Sequence, residues 1–441
     1  MTTSVETVKA AAPPKRKTQT KVVIAASLGN ALEMFDFTVF SFFAILIGKQ
    51  FFPVDNGGIV SLLLSLATFG IGFVMRPLGS IVIGNYADRR GRKPALMLTI
   101  GLMALGTALI GFAPTYLQIG LAAPVLIVIG RLLQGFSAGG EVGASTAFLM
   151  ESGAASRRGL MVSFQMVSQG AAALCGALAG SLLSGLLEPA ELERWGWRVP
   201  FIFGLLIAPV GMYIRRHLDE THAPSDASDA SAPHGGAFGY VIKHHLREVV
   251  LGVLMTVGLT TAMYIVAFYM PSYSVKVLGM SKSVSFLSGC AAGLVMIVFS
   301  PIFGILTDSL KSRKMLVVIA HAGILALIYP FFWAVNQYQS LAVMLPGVAL
   351  LVGFLMAGCA PAFLLILEAF PARARVTGMG VIYAICVSIF GGFAQFIVTW
   401  LLHVTHNPLA PALYMMAASA VSLAATLAFP SPKPQSIRRE Q

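Results

Sequence analysis

GNYADRRGRK, residues Gly84 to Lys93, stands between two apolar runs, 58–83 and 95–113, each of about the 20 residues that cross a bilayer. Two glycines bracket an aspartate and set it among four cations, a composition suited to a tight polar turn. A diluted copy follows 220 residues later, where Gly304 and Asp308 in GILTDSLKSRK repeat the spacing of Gly84 and Asp88. A second match keeps nearly the same register. Glu151 and Arg158 in ESGAASRRG are seven residues apart, and so, 217 residues later, are Glu368 and Arg375 in EAFPARARVTG. One such match is weak, but two at nearly equal offsets mark an internal repeat that divides the chain into similar halves.

Working outward, apolar stretches recur at 22–47, 58–83, 95–113, 117–149, 160–187, 198–214, 247–272, 284–306, 315–335, 341–366, 377–402 and 409–429. The fourth is long enough to tilt or protrude. The longest polar break, HLDETHAPSDASDASAPHGG (217–236), has a linker composition of Asp, Ala, Ser and Pro. The expected organisation is a disordered tail (1–21), a six-helix bundle (22–214), a linker loop (215–246), a second six-helix bundle (247–429) and a short tail (430–441). The fold class is therefore all-α and polytopic, with twelve transmembrane helices in two pseudo-symmetric bundles.

Composition agrees. The chain is 57% hydrophobic and 11% charged, with mean hydropathy +0.81, whereas a soluble domain is about 25% charged. The net charge of +12 points to no nucleic acid, because the cations lie in short clusters between apolar runs and not on one soluble face. By position, 23 of the 30 lysines and arginines fall in the tails and even-numbered loops, which places both termini in the cytoplasm. The basic N-terminus lacks the short apolar core and cleavage site of a signal peptide. Cys175, Cys290, Cys359 and Cys386 sit far apart in apolar runs without metal-ligand spacing, and read as structural thiols.

Against this background GNALEMFDF, Gly29 to Phe37, is an anomaly, since it puts Asn30, Glu33 and Asp36 inside the first apolar run. On a helix the three share one broad face. Arg76 and Arg131 are equally anomalous in spans two and four. Gln134 follows Arg131 on the same helical stripe, and Gln165 and Gln169 share a face of span five. Polar groups at membrane depth face a cavity or one another. Two arginines supply fixed positive charge and bidentate donors suited to a carboxylate. A carboxyl group taken out of water can accept a proton near neutral pH, because desolvation penalises its charged form. Asp36, ahead of Glu33, is the expected coupling residue, and a pairing with Arg76 would weaken when it is protonated. Asn30, Arg76, Arg131, Gln134, Gln165 and Gln169 are the expected substrate contacts. A purely structural polar network is the competing reading. The second half has no Asp, Glu, Lys or Arg well inside its spans. By repeat symmetry with span one, Tyr264 and Tyr273 become its expected contribution.

These residues resemble a known family. GNYADRRGRK closely matches the G-x-x-x-D-R-x-G-R-K/R loop of the major facilitator superfamily, and Arg131 in GRLLQGFSAGGEVG (130–143) matches a signature on its fourth helix. Together with GNALEMFDF, GFVMRPLGS (72–80) and WGWRVPF (195–201), the chain looks like the metabolite:proton symporter branch. TTAMYIVAFYMPSY (260–273) is most similar to the citrate and tricarballylate carriers. The copy DSLKSRK departs from the pattern, having no Arg after its Asp.

The resemblance implies a carrier working by alternating access, not an enzyme. It also implies a latch of Asp88, Arg89, Arg92, Glu151 and Arg158, with Asp308, Arg313, Glu368 and Arg375 as the second set. The implied substrate is a small carboxylate, with oxoglutarate, shikimate or proline/betaine as alternatives. No cofactor is implied beyond the proton, with sodium left open. The implied setting is a bacterial inner membrane, with lipid as the only further partner and a monomer as the default. A membrane enzyme would call for a dense metal or nucleophile constellation, and none is visible. Two buried arginines argue against an exporter of cationic drugs.

Overall fold

The computed structural model describes residues 16–54, 58–90, 92–139, 141–205, 209, 236–310 and 312–430. The described residues are helical almost throughout and contain no strand. The first half comprises α1 (Arg16–Phe42), α2 (Ala44–Phe51), α3 (Ile59–Val74), α4 (Arg76–Arg90), α5 (Arg92–Gly111), α6 (Tyr116–Ile119), α7 (Ala122–Ala138), α8 (Glu141–Ser152), α9 (Arg158–Leu186), α10 (Pro189–Arg194) and α11 (199–205). After α12 (Gly236–His244), the second half runs through α13 (Leu246–Ala262), α14 (Met270–Lys276), α15 (Lys282–Ser309), α16 (Arg313–Tyr338), α17 (Leu341–Ala369), α18 (Ala372–Cys386), α19 (Ala394–Thr405) and α20 (Ala410–Ala428).

Eight described helices or helix pairs are long and apolar enough to cross a bilayer, and α1 with α2 forms a ninth, bent by 66°. The shorter apolar helices Met97–Gly111 and Ala122–Ala138, with α11, account for the rest of the twelve stretches. Three boundaries differ from the sequence reading. The stretch 117–149 is divided among α6, α7 and α8 instead of forming one long span. Helix α1 begins at Arg16, inside the expected tail, and α12 occupies the end of the expected linker. The remaining tail and linker residues, 1–15, 210–235 and 431–441, lie outside the described residues.

Breaks in the long helices have local causes. Pro77, at the second position of α4, has no backbone N–H to continue the ladder of α3. Pro271 withholds its N–H in the same way, and the hydrogen bonds before it slip to a π-helical turn over Met263–Tyr269. A second π-helical turn, Val387–Gly391, joins α18 to α19.

Close helix packing rests on small residues. Gly135 of α7 lies directly on the Gly72 carbonyl of α3, where any Cβ would collide with backbone. This contact brings Arg131 and Arg76 to neighbouring positions on facing helices. Gly135→Val should therefore destabilise the protein by about 1–3 kcal/mol, the usual cost of overpacking, and lower its melting temperature in detergent. An unchanged melting temperature would mean that α3 and α7 can separate freely. The two halves meet along α9 and α15, where Gly159 packs on the Gly304 carbonyl and Gly293 on Leu174. Arg198 fastens the turn before α11 by donating to the Ala113 carbonyl at 2.8 Å, with its guanidinium 4.4 Å from the Trp197 ring.

Candidate functional site

Four ionisable side chains meet inside the first half, all nearly inaccessible to solvent: Glu33 (3% exposed), Asp36 (4%), Arg76 (1%) and Arg131 (0%). Helix α1 carries the two carboxylates, α4 carries Arg76 and α7 carries Arg131. Glu33 Oε1 accepts from Arg76 Nη2 at 3.2 Å. Asp36 does not pair with Arg76, contrary to the sequence expectation. Its Oδ2 accepts from the Thr107 hydroxyl of α5 and from Gln134 Nε2 at 3.4 Å. The two residues are three apart, so they leave the helix on different sides of its face, and each meets a different neighbour. Gly204 of α11 packs against Asp36 Oδ1, where a Cβ would come within 2.7 Å.

The arginines are cushioned by aromatic rings. Phe37 lies 4.8 Å from the Arg76 guanidinium carbon and 4.3 Å from that of Arg131. Phe73 covers Arg76 at 4.4 Å, and Phe40 and Phe69 approach Arg131 at 4.6 and 5.0 Å. Ring faces attract cations electrostatically without using their hydrogen-bond donors. Arg131 Nη1 donates to Gln134 Oε1 at 2.8 Å and Nη2 to the Phe69 carbonyl at 3.4 Å. Nε of Arg131, and Nε and Nη1 of Arg76, meet no hydrogen-bond acceptor among the described residues. Buried donors without acceptors are costly.

A small cavity lies between the halves. Met166 and Gln169 of α9 form its wall in the first half, while Thr256, Thr260, Tyr264, Tyr383 and Cys386 belong to the second. Gln169 Nε2 has no acceptor among the described residues. The Tyr264 ring packs edge-on against Phe73, centroids 5.6 Å apart, and so abuts the arginine cushion. Tyr383 lies close enough to Arg76 and Glu33 to feel both charges. It was not singled out in the sequence, since a lone tyrosine in an apolar helix carries no signal.

Other expected contacts are occupied elsewhere. Asn30 donates to Ser168 Oγ at 2.6 Å and accepts from Gln165 Nε2 at 2.9 Å, so these two polar side chains fasten α1 to α9. Tyr273 donates to the Pro408 carbonyl at 2.8 Å and accepts from Asn336 Nδ2 at 2.6 Å. It does not line the cavity.

At the end carrying the loop motifs, Asp308 crosses between the halves. Its carboxylate accepts the backbone N–H groups of Gly159 (2.7 Å) and Leu160 (2.9 Å) at the start of α9, where the helix dipole favours negative charge. Glu368 pairs with Arg313 of its own half, and Arg375 Nε donates to the Leu367 carbonyl at 2.9 Å. Glu151 and Arg158 form no ion pair among the described residues. Among the described residues the contact that crosses between the halves is thus carboxylate to helix end. The side chains of Asp88, Arg89 and Arg92 lie outside the described residues.

Eight or nine spans among the described residues, with buried charge in the first half and a cavity against the second, define a polytopic membrane protein. The chain belongs to the Major Facilitator Superfamily, whose sequence profile matches residues 26–395. It is 37% identical over 410 residues to the citrate-proton symporter of Klebsiella pneumoniae, covering 92% of this chain and 90% of that one. A relative from Staphylococcus haemolyticus that bears a proline/betaine transporter name is 33% identical over 414 residues, covering 92% and 86%. The fold matches the xylose transporter XylE from E. coli in a partially occluded inward-open conformation. That match has TM-score 0.73 at 18% identity, over 93% of this chain and 97% of that one. Family and relatives are transporters, not enzymes.

Proposed function

We propose that this protein imports a small di- or tricarboxylate, with citrate or tricarballylate first, together with protons and by alternating access. The observation that carries this reading is the set of buried guanidinium donors on Arg76 and Arg131 that meet no acceptor among the described residues, near the cavity walls formed by Tyr264 and Tyr383. A carboxylate is the ligand that such donors fit best, because guanidinium and carboxylate match in shape and charge. The citrate-carrying relative, at 37% identity, supports the same class.

Coupling follows from charge. With both carboxylates ionised, the pocket balances two cations against two anions. A proton on Asp36 removes one negative charge next to Arg131 and leaves the pocket net positive, so proton and anion each strengthen the binding of the other. Glu33 acts as the clamp that keeps Arg76 in place. The proposed setting is a bacterial inner membrane with both termini cytoplasmic, as the distribution of lysine and arginine suggests. Asp308 at the start of α9 would then be a cytoplasmic fastening, released when the halves rock.

A thermal-shift screen of purified protein tests the substrate class, with di- and tricarboxylates, shikimate, proline and betaine as ligands. Citrate or tricarballylate should raise the melting temperature, and reconstituted protein should accumulate the same compound under an inward proton gradient. Stabilisation by betaine with none from any carboxylate would overturn the reading.

A further inference from the structure

We propose that Gln134 is the positioning residue that carries the protonation state of Asp36 to Arg131, by reorienting its side-chain amide. The inference rests on the proposed coupling role of Asp36. Gln134 is wholly buried and stands between the two charges. Its Oε1 accepts from Arg131 Nη1 at 2.8 Å, while its Nε2 faces Thr107 Oγ1 at 3.0 Å and Asp36 Oδ2 at 3.4 Å.

Hydrogen-bond grammar sets the amide's direction. A guanidinium can only donate, and an ionised carboxylate can only accept. A glutamine between them has one orientation that satisfies both, with oxygen toward Arg131 and nitrogen toward Asp36. Protonation of Asp36 removes that constraint at one end. Oδ1 has no polar partner among the described residues and faces Gly204, so a hydroxyl there would be stranded. The new O–H finds acceptors only on the side of Gln134 and Thr107. Turning the amide offers Oε1 to the Asp36 hydroxyl and withdraws it from Arg131. Arg131 Nη1 then joins Nε as a donor without an acceptor, available to a substrate carboxylate.

The surrounding charges do not offer a shorter route. Arg131 of α7 is the charged group that acts on Asp36, and Glu33 stands three residues earlier on α1. Arg76 and Tyr264 face Arg131, α5 contributes the neutral Thr107, and α11 contributes Gly204. Thr107 supplies the one competing response: its hydroxyl lies 3.0 Å from the Met103 carbonyl, and could turn there while the amide stays in place.

The test is citrate affinity against pH, compared at equal concentrations of the fully ionised species, for wild type, Gln134→Met, Gln134→Glu and Thr107→Val. Wild-type affinity should rise on acidification by about 5- to 150-fold, the usual range of coupling between sites. Gln134→Met should lose most of the wild-type pH dependence, keeping only what the direct charge effect of Asp36 supplies. Gln134→Glu places two carboxylates around one proton, and the pocket becomes net positive only when a second proton binds, so the rise in affinity should move to more acidic pH than in wild type. Should the Met variant not fold, this acidic displacement alone decides. Thr107→Val, which removes a hydrogen bond to Asp36, should keep the size of the wild-type dependence, whatever its midpoint. A Gln134→Met protein that keeps the full pH dependence, or a Gln134→Glu protein with an unmoved profile, overturns the relay. If wild type binds no carboxylate at any pH, the function itself is wrong; if it binds one without pH dependence, the relay and the role of Asp36 both fall.

Discussion

Arg76→Met should abolish carboxylate binding and lower the stability of the folded protein by about 3–5 kcal/mol, the usual cost of breaking a buried ion pair from one side. Glu33 would keep its charge at 3% exposure without the cation 3.2 Å away. Adding Glu33→Gln should recover most of that stability, because the remaining group can stay neutral at its own hydrogen bonds. Transport should remain absent in the double variant, since no guanidinium is left on α4 to receive the anion. Thermal denaturation and citrate binding, measured on the same preparations, separate the two effects. Citrate binding retained by Arg76→Met would remove Arg76 from the anion site, whatever happened to stability.

Asp36→Asn should uncouple the carrier. Asparagine holds the pocket in the charge state that a proton would otherwise create, so the pocket carries its net positive charge at every pH. Citrate affinity, at a fixed concentration of the ionised species, should lose the rise that wild type shows on acidification. Accumulation under a proton gradient should fall to simple equilibration, and exchange of internal for external citrate should suffer less. Uptake and exchange assays in liposomes distinguish these. Equal loss of both would remove Asp36 from the coupling role. In the same assays Glu33→Gln should resemble a loss of binding, because Glu33 holds Arg76 and does not face Gln134.

The charged residues of the site were legible because charge inside an apolar run always needs an answer. That one rule singled out Glu33, Asp36, Arg76 and Arg131. It could not say which carboxylate answers which arginine. Glu33 and Asp36 differ by less than a helical turn, and the packing of α4 and α5 around α1 decides their partners. Thr107 carries no charge and sits in the unremarkable GTALIG, so nothing marked it as a ligand of Asp36. The twelve stretches were visible from hydropathy, whereas the break between α7 and α8 depends on local backbone geometry. Tyr273 was chosen from repeat symmetry with span one. Tyr264, which does line the cavity, sits within the π-helical turn Met263–Tyr269; Tyr273 lies beyond that turn, where Asn336 and Pro408 engage its hydroxyl. Symmetry of sequence does not extend to side-chain partners. Asp308, whose motif is degenerate, nonetheless meets the start of α9.

Phe37 lies within reach of both guanidinium groups at once, and this binds two distant positions into one evolutionary unit. A smaller residue at 37 would strip cushioning from both cations together, and no compensating change near only one of them could restore the pair. Among descendants of this sequence, positions 37, 76 and 131 should therefore drift as a block or not at all. Lineages that change substrate should show it first in the cavity wall around Gln169, Thr260 and Tyr383, where single replacements remain affordable.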